Sequence, residues 1–251
     1  MRYTINKPSV WMYATEDLCG EVSDELLFGT VIEILSENDT CAFCRTDYGY
    51  TGYINKWDLC DCDSDDCDDS EKQFIYGRCD ILTEPEYRCA PVMSLPRGSR
   101  IKIIGEYNSK FSICIIGKKK YYISNHVLKR ECKSNFVNEF IDIASSYVGT
   151  PYRWGGKSDD GIDCSGLVFM CARICGKSVY RDAVPKSEYV TIKDKNDVCV
   201  GDLIYFKGHV AIISGIDEII HSSGKYGCVI RQHFSESGLN IEDIVCYAAV
   251  K

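Results

Sequence analysis

Apolar and polar positions alternate in short runs through the first half of the chain. Val31 to Leu35 and Ile101 to Ile104 are such runs. Each is followed by another around Phe43 or Ile113, and then by a Tyr-Ile pair, Tyr53-Ile54 or Tyr122-Ile123. Period-two alternation over a few residues, bounded by polar and glycine-containing turns, predicts half-buried strands. The two sets form an internal repeat. A shift of 69 positions pairs Gly29 with Gly98, Ile32 with Ile101, Ile34 with Ile103 and Glu37 with Glu106. The same shift pairs Tyr53 with Tyr122, Ile54 with Ile123 and Leu59 with Leu128, with no gap needed. Two strand-rich copies of about 60 residues predict two small β-barrels.

The period changes near Cys132. Ser134 is placed to cap a helix with Phe136, Val137, Phe140, Ile141, Ala144, Tyr147 and Val148 on its apolar face, ended by Gly149 and Pro151. A second helix is expected after Cys164, with Leu167, Val168, Cys171 and Ile174 on one side. Strand-like runs follow at 202–206, 210–213, 218–220, 229–232 and 245–250. Helices followed by a run of strands predict an α+β domain. The expected division is residues 1–63, 72–131 and 132–251.

Composition narrows the function classes. The chain has 251 residues, 45% apolar and 26% charged, as expected of a globular protein. A net charge of -8 argues against nucleic acid as a partner, because phosphate binding needs a basic face. No apolar run approaches the roughly 20 residues that span a bilayer, so no membrane partner is expected. Residues 1–8 carry no apolar signal core. With Met1 as the native start the protein is expected in the cytoplasm; a leader removed upstream would make it secreted.

Sixteen cysteines suggest either a disulfide framework or reduced thiols. Several sit in apolar runs (Cys171, Cys175, Cys199, Cys246), where a thiol acts as a small buried hydrophobe, and reduced thiols are the expectation. Cys60, Cys62 and Cys67 lie in an acidic stretch without paired C-x2-C spacing. That stretch reads as a solvated linker, so no metal and no cofactor are expected.

One cysteine has a distinctive context. Cys164 stands in Gly161-Ile162-Asp163-Cys164-Ser165-Gly166-Leu167-Val168, a loop entering a helix. A helix N-terminus stabilises a thiolate through its unpaired N–H groups and dipole, which is how a thiol becomes a nucleophile. A base is then required, and there are four histidines. His209 opens the run Val210-Ala211-Ile212-Ile213, and His221 follows Ile219-Ile220. On adjacent antiparallel strands the two would lie side by side, His209 toward the thiol and His221 behind it. Structural histidines at strand ends are the plainer alternative. His126 and His233 have nothing that marks them for chemistry.

These residues carry a resemblance. Tyr152-Arg153-Trp154-Gly155-Gly156, Asp163-Cys164-Ser165-Gly166-Leu167, Gly201-Asp202-Leu203 with His209-Val210, and Ile220-His221-Ser222 resemble the NlpC/P60 family of papain-like cysteine peptidases. The match runs over roughly residues 133–251. It implies a nucleophile at Cys164, a base at His209 and a third polar residue at His221. The two repeats resemble bacterial SH3-like domains. The whole arrangement is similar to γ-D-glutamyl-L-diamino acid endopeptidases, which act on murein peptides of the type L-Ala-γ-D-Glu-diamino acid.

By that resemblance Asp163 binds the substrate amine, Tyr152 supports the oxyanion and substrate, Ser165 holds the D-Glu carboxylate, and Trp154 lies at the substrate. In the first repeat Tyr50 and an acid, Asp24 or Glu25, are implied as pocket residues. One departure is Ala183, after Arg181-Asp182, where the subfamily can carry a serine. Two other readings stand beside a recycling peptidase: a secreted wall hydrolase anchored by its repeats, and a catalytically dead binding protein.

Overall fold

Alternation becomes strand pairing throughout the first of two compact units, Met1–Arg130; the second unit is Glu131–Lys251. The computed structural model describes residues 2–59, 71–128 and 135–251. The Cys60-Asp61-Cys62 stretch, Cys67, and the capping residue expected at Ser134 lie outside the described residues.

The first repeat holds β1 (Arg2–Thr4), β2 (Ser9–Tyr13), β3 (Val22–Leu27), β4 (Val31–Glu37), β5 (Cys41–Thr46) and β6 (Thr51–Asn55). They form one sheet in the order β1-β4-β5-β6-β2-β3. Its core is Ile5, Val10, Met12, Leu26, Ile32, Ala42, Cys44 and Ile54. The second repeat holds β7 (Lys72–Phe74), β8 (Cys79–Ile81), β9 (Met93–Leu95), β10 (Arg100–Glu106), β11 (Phe111–Ile116) and β12 (Lys119–Ser124). It builds a sheet β12-β11-β10-β7 and a hairpin β8-β9, around a core of Ile75, Ile81, Leu95, Ile101, Cys114, Ile123 and Val127.

The copies share irregularities as well as strands. Both carry a β-bulge, between Ile34 and Ser36 and between Ile103 and Gly105. Both close on a 3-10 turn, Lys56–Asp58 and Asn125–Val127. The ungapped shift does not hold throughout, however. Cys44 faces Ile34, and Cys114 faces Ile103, so β11 matches β5 one residue further on. The β4–β5 and β10–β11 turns differ in length, and register follows the turn rather than the sequence shift.

Gly29 joins the two copies. Its φ of +85° is in the region only glycine enters freely, and a Cβ there would lie 2.0 Å from the Arg100 carbonyl oxygen. That approach lets Arg100 N donate to Phe28 O at 2.9 Å. The Arg100 guanidinium pairs with Asp47 at 2.8 Å. Phe28 packs into the second repeat's core.

Within this unit Asp24 and Glu25 lie buried on β3. Asp24 accepts from the Tyr48 hydroxyl and from Glu25 N. Tyr50 is half-buried beside Tyr48 against the first repeat's core.

The second unit opens with α1 (Phe136–Ser146), capped by the Asn135 side chain, which accepts from Val137 N. Its buried face is Phe140, Ile143, Ala144 and then Tyr147. Val148, expected on that face, is exposed, because the helix ends at Ser146 and the chain turns through Gly149 at φ +90°.

The chain continues through the short pair β13 (Lys157–Ser158) and β14 (Gly161–Ile162) into α2 (Cys164–Ile174). The expected one-sided apolar face of α2 is corrected: Phe169, Met170 and Ala172 are buried along with Leu167, Val168, Cys171 and Ile174. A helix apolar all round belongs in a core rather than on a surface.

Six antiparallel strands complete the unit: β15 (Val190–Lys193), β16 (Leu203–Phe206), β17 (His209–Gly215), β18 (Glu218–Ser223), β19 (Cys228–His233) and β20 (Ile244–Val250), in the order β15-β20-β16-β17-β18-β19. β15 was not foreseen; its outward Thr191 and Ile192 are exposed and give no clear period. No described helix is long and apolar enough to cross a membrane. Cys199, expected in a buried run, is exposed, whereas Cys41, Cys44 and Cys114 are buried thiols.

Candidate active site

Cys164 is the first residue of α2, so its N–H has no intrahelical acceptor and points out of the helix end. Asp163 is the cap: extended at φ -91°, ψ 178°, it accepts from Gly166 N at 2.5 Å. Gly166 is required here, since a Cβ would lie 2.3 Å from Gly156 O. The Cys164 thiol is buried and meets the backbone N–H groups of Ser165 and Val210. Val210 follows His209 in β17, so α2 brings the sulfur to the start of that strand.

β17 and β18 pair antiparallel. His209 Nε2 lies 2.9 Å from His221 Nδ1, with the rings edge-on at 5.0 Å. The two rings therefore lie side by side, as expected of histidines on adjacent strands. His221 is buried, and its Nε2 lies 3.0 Å from the amide nitrogen of Gln232 on β19.

Burial governs the titration of this group. It pushes the Cys164 thiol up to about 11, and the Asp163 carboxylate adds to that; the Val210 and Ser165 N–H groups and Arg181 pull the other way. Burial pushes His209 down to about 4 and does the same to His221, where the neighbouring His209 adds a smaller effect. Each charged form is thus costly alone. At neutral pH burial therefore favours the uncharged thiol and the uncharged imidazoles.

Asp163 does more than cap. Its Oδ1 accepts from Arg181 Nη1 at 3.1 Å and Ser165 Oγ at 3.2 Å. Its Oδ2 accepts from Arg181 Nη2 at 3.1 Å and Gly155 N at 2.8 Å. Arg181 Nη1 also donates to Ser165 Oγ at 3.0 Å. The Arg181 side chain is 2% exposed, so this is a buried bidentate pair. Asp163 thus accepts from the buried Arg181 guanidinium as well as from backbone and hydroxyl donors.

Tyr152 is tied down by its N–H to Gly227 O at 2.7 Å. Burial, then Cys164 and Asp163, push its hydroxyl up to about 12, so it stays a neutral donor beside the thiol. Trp154 is 58% exposed. Asp24, Glu25 and Tyr50 belong to the other unit. His126 belongs to the other unit, where it lies against Ser124 Oγ at 2.7 Å, and His233 stands opposite Glu218 at the end of β19. Among the described residues no group of His, Cys, Asp and Glu could hold a metal ion.

Arg181 and Gln232 were not singled out from the residues. Arg181 sits in an irregular segment without period. Gln232 could have been reached through the length of the β18–β19 turn, which sets its register.

The model of the NlpC/P60 family matches residues 149–244, the span that holds Tyr152, Cys164, His209 and His221. The chain is 32% identical over 234 residues to dipeptidyl-peptidase 6 of Lysinibacillus sphaericus, covering 84% of each. It is 25% identical to a gamma-D-glutamyl-L-lysine dipeptidyl-peptidase of Bacillus subtilis, over 49% of this chain and 44% of that one. In fold it is similar to the crystal structure of an NlpC/P60 family protein from Bacillus cereus, with a TM-score of 0.85, 16% identity and 98% of each chain covered. The site geometry, the matched span and the near-full-length relative agree: the chain belongs to the NlpC/P60 family.

Proposed function

We propose that this protein is a cysteine peptidase that hydrolyses the γ-D-Glu–diamino acid bond of murein peptides with a free N-terminal L-Ala. The observation that carries the chemistry is Cys164 at the start of α2, its sulfur against Val210 N–H, with His209 and His221 2.9 Å apart. The substrate class rests on the relatives, one named a dipeptidyl-peptidase and one a gamma-D-glutamyl-L-lysine dipeptidyl-peptidase.

Cys164 Sγ attacks the γ-carbonyl carbon as His209 takes the thiol proton. The oxyanion forms beside the Cys164 N–H, with the neutral Tyr152 hydroxyl as a second donor. Collapse breaks the C–N bond, and His209 returns the proton to the leaving amine. Water, deprotonated by His209, then cleaves the thioester to the D-Glu carboxylate and the thiol.

Arg181 half-neutralises Asp163, so in this reading Asp163 first holds α2 and Ser165 in place. It contributes to amine selection as the acceptor end of that pair. Ala183 removes one hydroxyl from the D-Glu side, which leaves Ser165 the larger share there.

Hydrolysis of L-Ala-γ-D-Glu-diaminopimelate and of its lysine counterpart by the wild type and by Cys164→Ala tests the reading. Turnover by the variant overturns it. Acetylating the substrate amine should abolish hydrolysis; unchanged cleavage would favour a hydrolase of intact wall.

A further inference from the structure

His221 has two ring nitrogens, and both are engaged. Nδ1 lies 2.9 Å from His209 Nε2, and Nε2 lies 3.0 Å from the side-chain amide nitrogen of Gln232. The ladder explains the second contact. Gln232 faces Ile219, and Ile230 faces His221, so Gln232 is the diagonal neighbour of His221 on the same face of the sheet. Its neighbour Arg231 turns instead to Glu218.

A neutral imidazole has one donor and one acceptor, so a choice made at one end of such a chain is passed to the other. Two networks satisfy these distances. In the first, the Gln232 NH2 donates to His221 Nε2, and His221 donates its Nδ1–H to His209 Nε2. A neutral His209 then carries its proton on Nδ1 and has no lone pair left for a thiol. In the second, the Gln232 carbonyl oxygen accepts from His221 Nε2–H, and His209 donates its Nε2–H to His221 Nδ1. His209 Nδ1 is then a bare lone pair. A half-turn of the amide converts one network into the other and moves no other heavy atom. Only the second leaves a base for Cys164, and it stays satisfied when His209 becomes an imidazolium.

We propose that Gln232 is a positioning residue whose amide oxygen fixes His221, and through it His209, in the tautomer that can take the Cys164 proton. The proposal rests on the reading of Cys164 and His209 as nucleophile and base. A glutamine supplies that acceptor as a neutral, part-buried group beside His221.

The test is nitrogen-15 NMR of the histidine rings in the full chain, as wild type, Gln232→Glu and Gln232→Met, with kcat and KM measured alongside. Glutamate is nearly isosteric and can only accept, so it should keep the wild-type tautomer, with the proton on Nε2 of both rings, and keep kcat within a few-fold. Methionine should leave a mixture of tautomers and lower kcat about tenfold at unchanged KM, the loss of one orienting hydrogen bond. Wild-type tautomers in the methionine variant, a proton on His209 Nδ1 in the glutamate variant, or a change in KM alone would overturn the proposal. If the methionine variant unfolds, the glutamate spectrum still decides. The tautomer readout needs no turnover and can be repeated in Cys164→Ala, so a failure of the peptidase reading registers separately.

Discussion

Breaking the Asp163–Arg181 pair should destabilise the second unit more than any exposed substitution in it. Asp163→Ala strands a guanidinium whose side chain is 2% exposed. Leaving one partner of such a pair buried and unmatched costs about 3 to 5 kcal/mol. Losing the cap on Gly166 N, bonded at 2.5 Å, adds about 1 kcal/mol. The sum corresponds to a fall in melting temperature of about 15 to 25 °C for a unit of this size. Arg181→Met removes the cation and leaves the carboxylate with the Gly155, Ser165 and Gly166 donors, so its cost should be smaller.

The double variant should be less damaged than the two single costs summed, with a coupling of about 2 kcal/mol. Hydrogen exchange of the α2 amides reads the second unit separately from the first, and thermal melts supply the temperatures. If Asp163→Ala costs under about 1 kcal/mol, or the two changes add within about 0.5 kcal/mol, the pair does not organise the site.

Other consequences follow from particular positions. Gly29→Ala should cost the first unit roughly 2 to 4 kcal/mol in urea unfolding, through its positive φ and the Arg100 carbonyl. Gly49→Ala, at φ +81° with open space around it, should cost only about 1 kcal/mol, and equal costs would refute the contact argument. Because burial holds His209 and His221 near 4, the unfolded chain binds more protons than the folded one between about pH 6.5 and 4. Stability should therefore fall as pH falls through that window, by up to about 3 kcal/mol for one such ring, and His209→Asn should flatten the slope. A wild-type slope of zero there would sink this. Among the described cysteines, iodoacetamide should modify exposed Cys19 and Cys199 first, and reach Cys44 and Cys114, pushed up to about 12 by burial, only on unfolding, as peptide mass mapping would show.

What was readable along the chain was whatever depends on neighbours in sequence. Alternation at Val31–Glu37 and Arg100–Glu106 marked strands, because side chains of a strand point to opposite faces in turn. The loop ending at Cys164 and the apolar positions after it marked a helix start, and the structure adds Asp163 as its cap. His209 and His221 at the ends of apolar runs were enough to foresee adjacent strands. Packing decided the rest. Turn lengths shifted β11 by one residue against the repeat, and the early end of α1 turned Val148 to solvent while Ile143 took its place in the core. Asp163 is bound by Arg181, 18 positions away, in a segment with no pattern. Gln232 reaches His221 because β17, β18 and β19 lie side by side and bring side chains of three strands into one row. Periodicity reports which face of an element is buried, but which two distant polar groups share that interior is settled by three-dimensional packing, where an unmatched buried charge is too costly to keep.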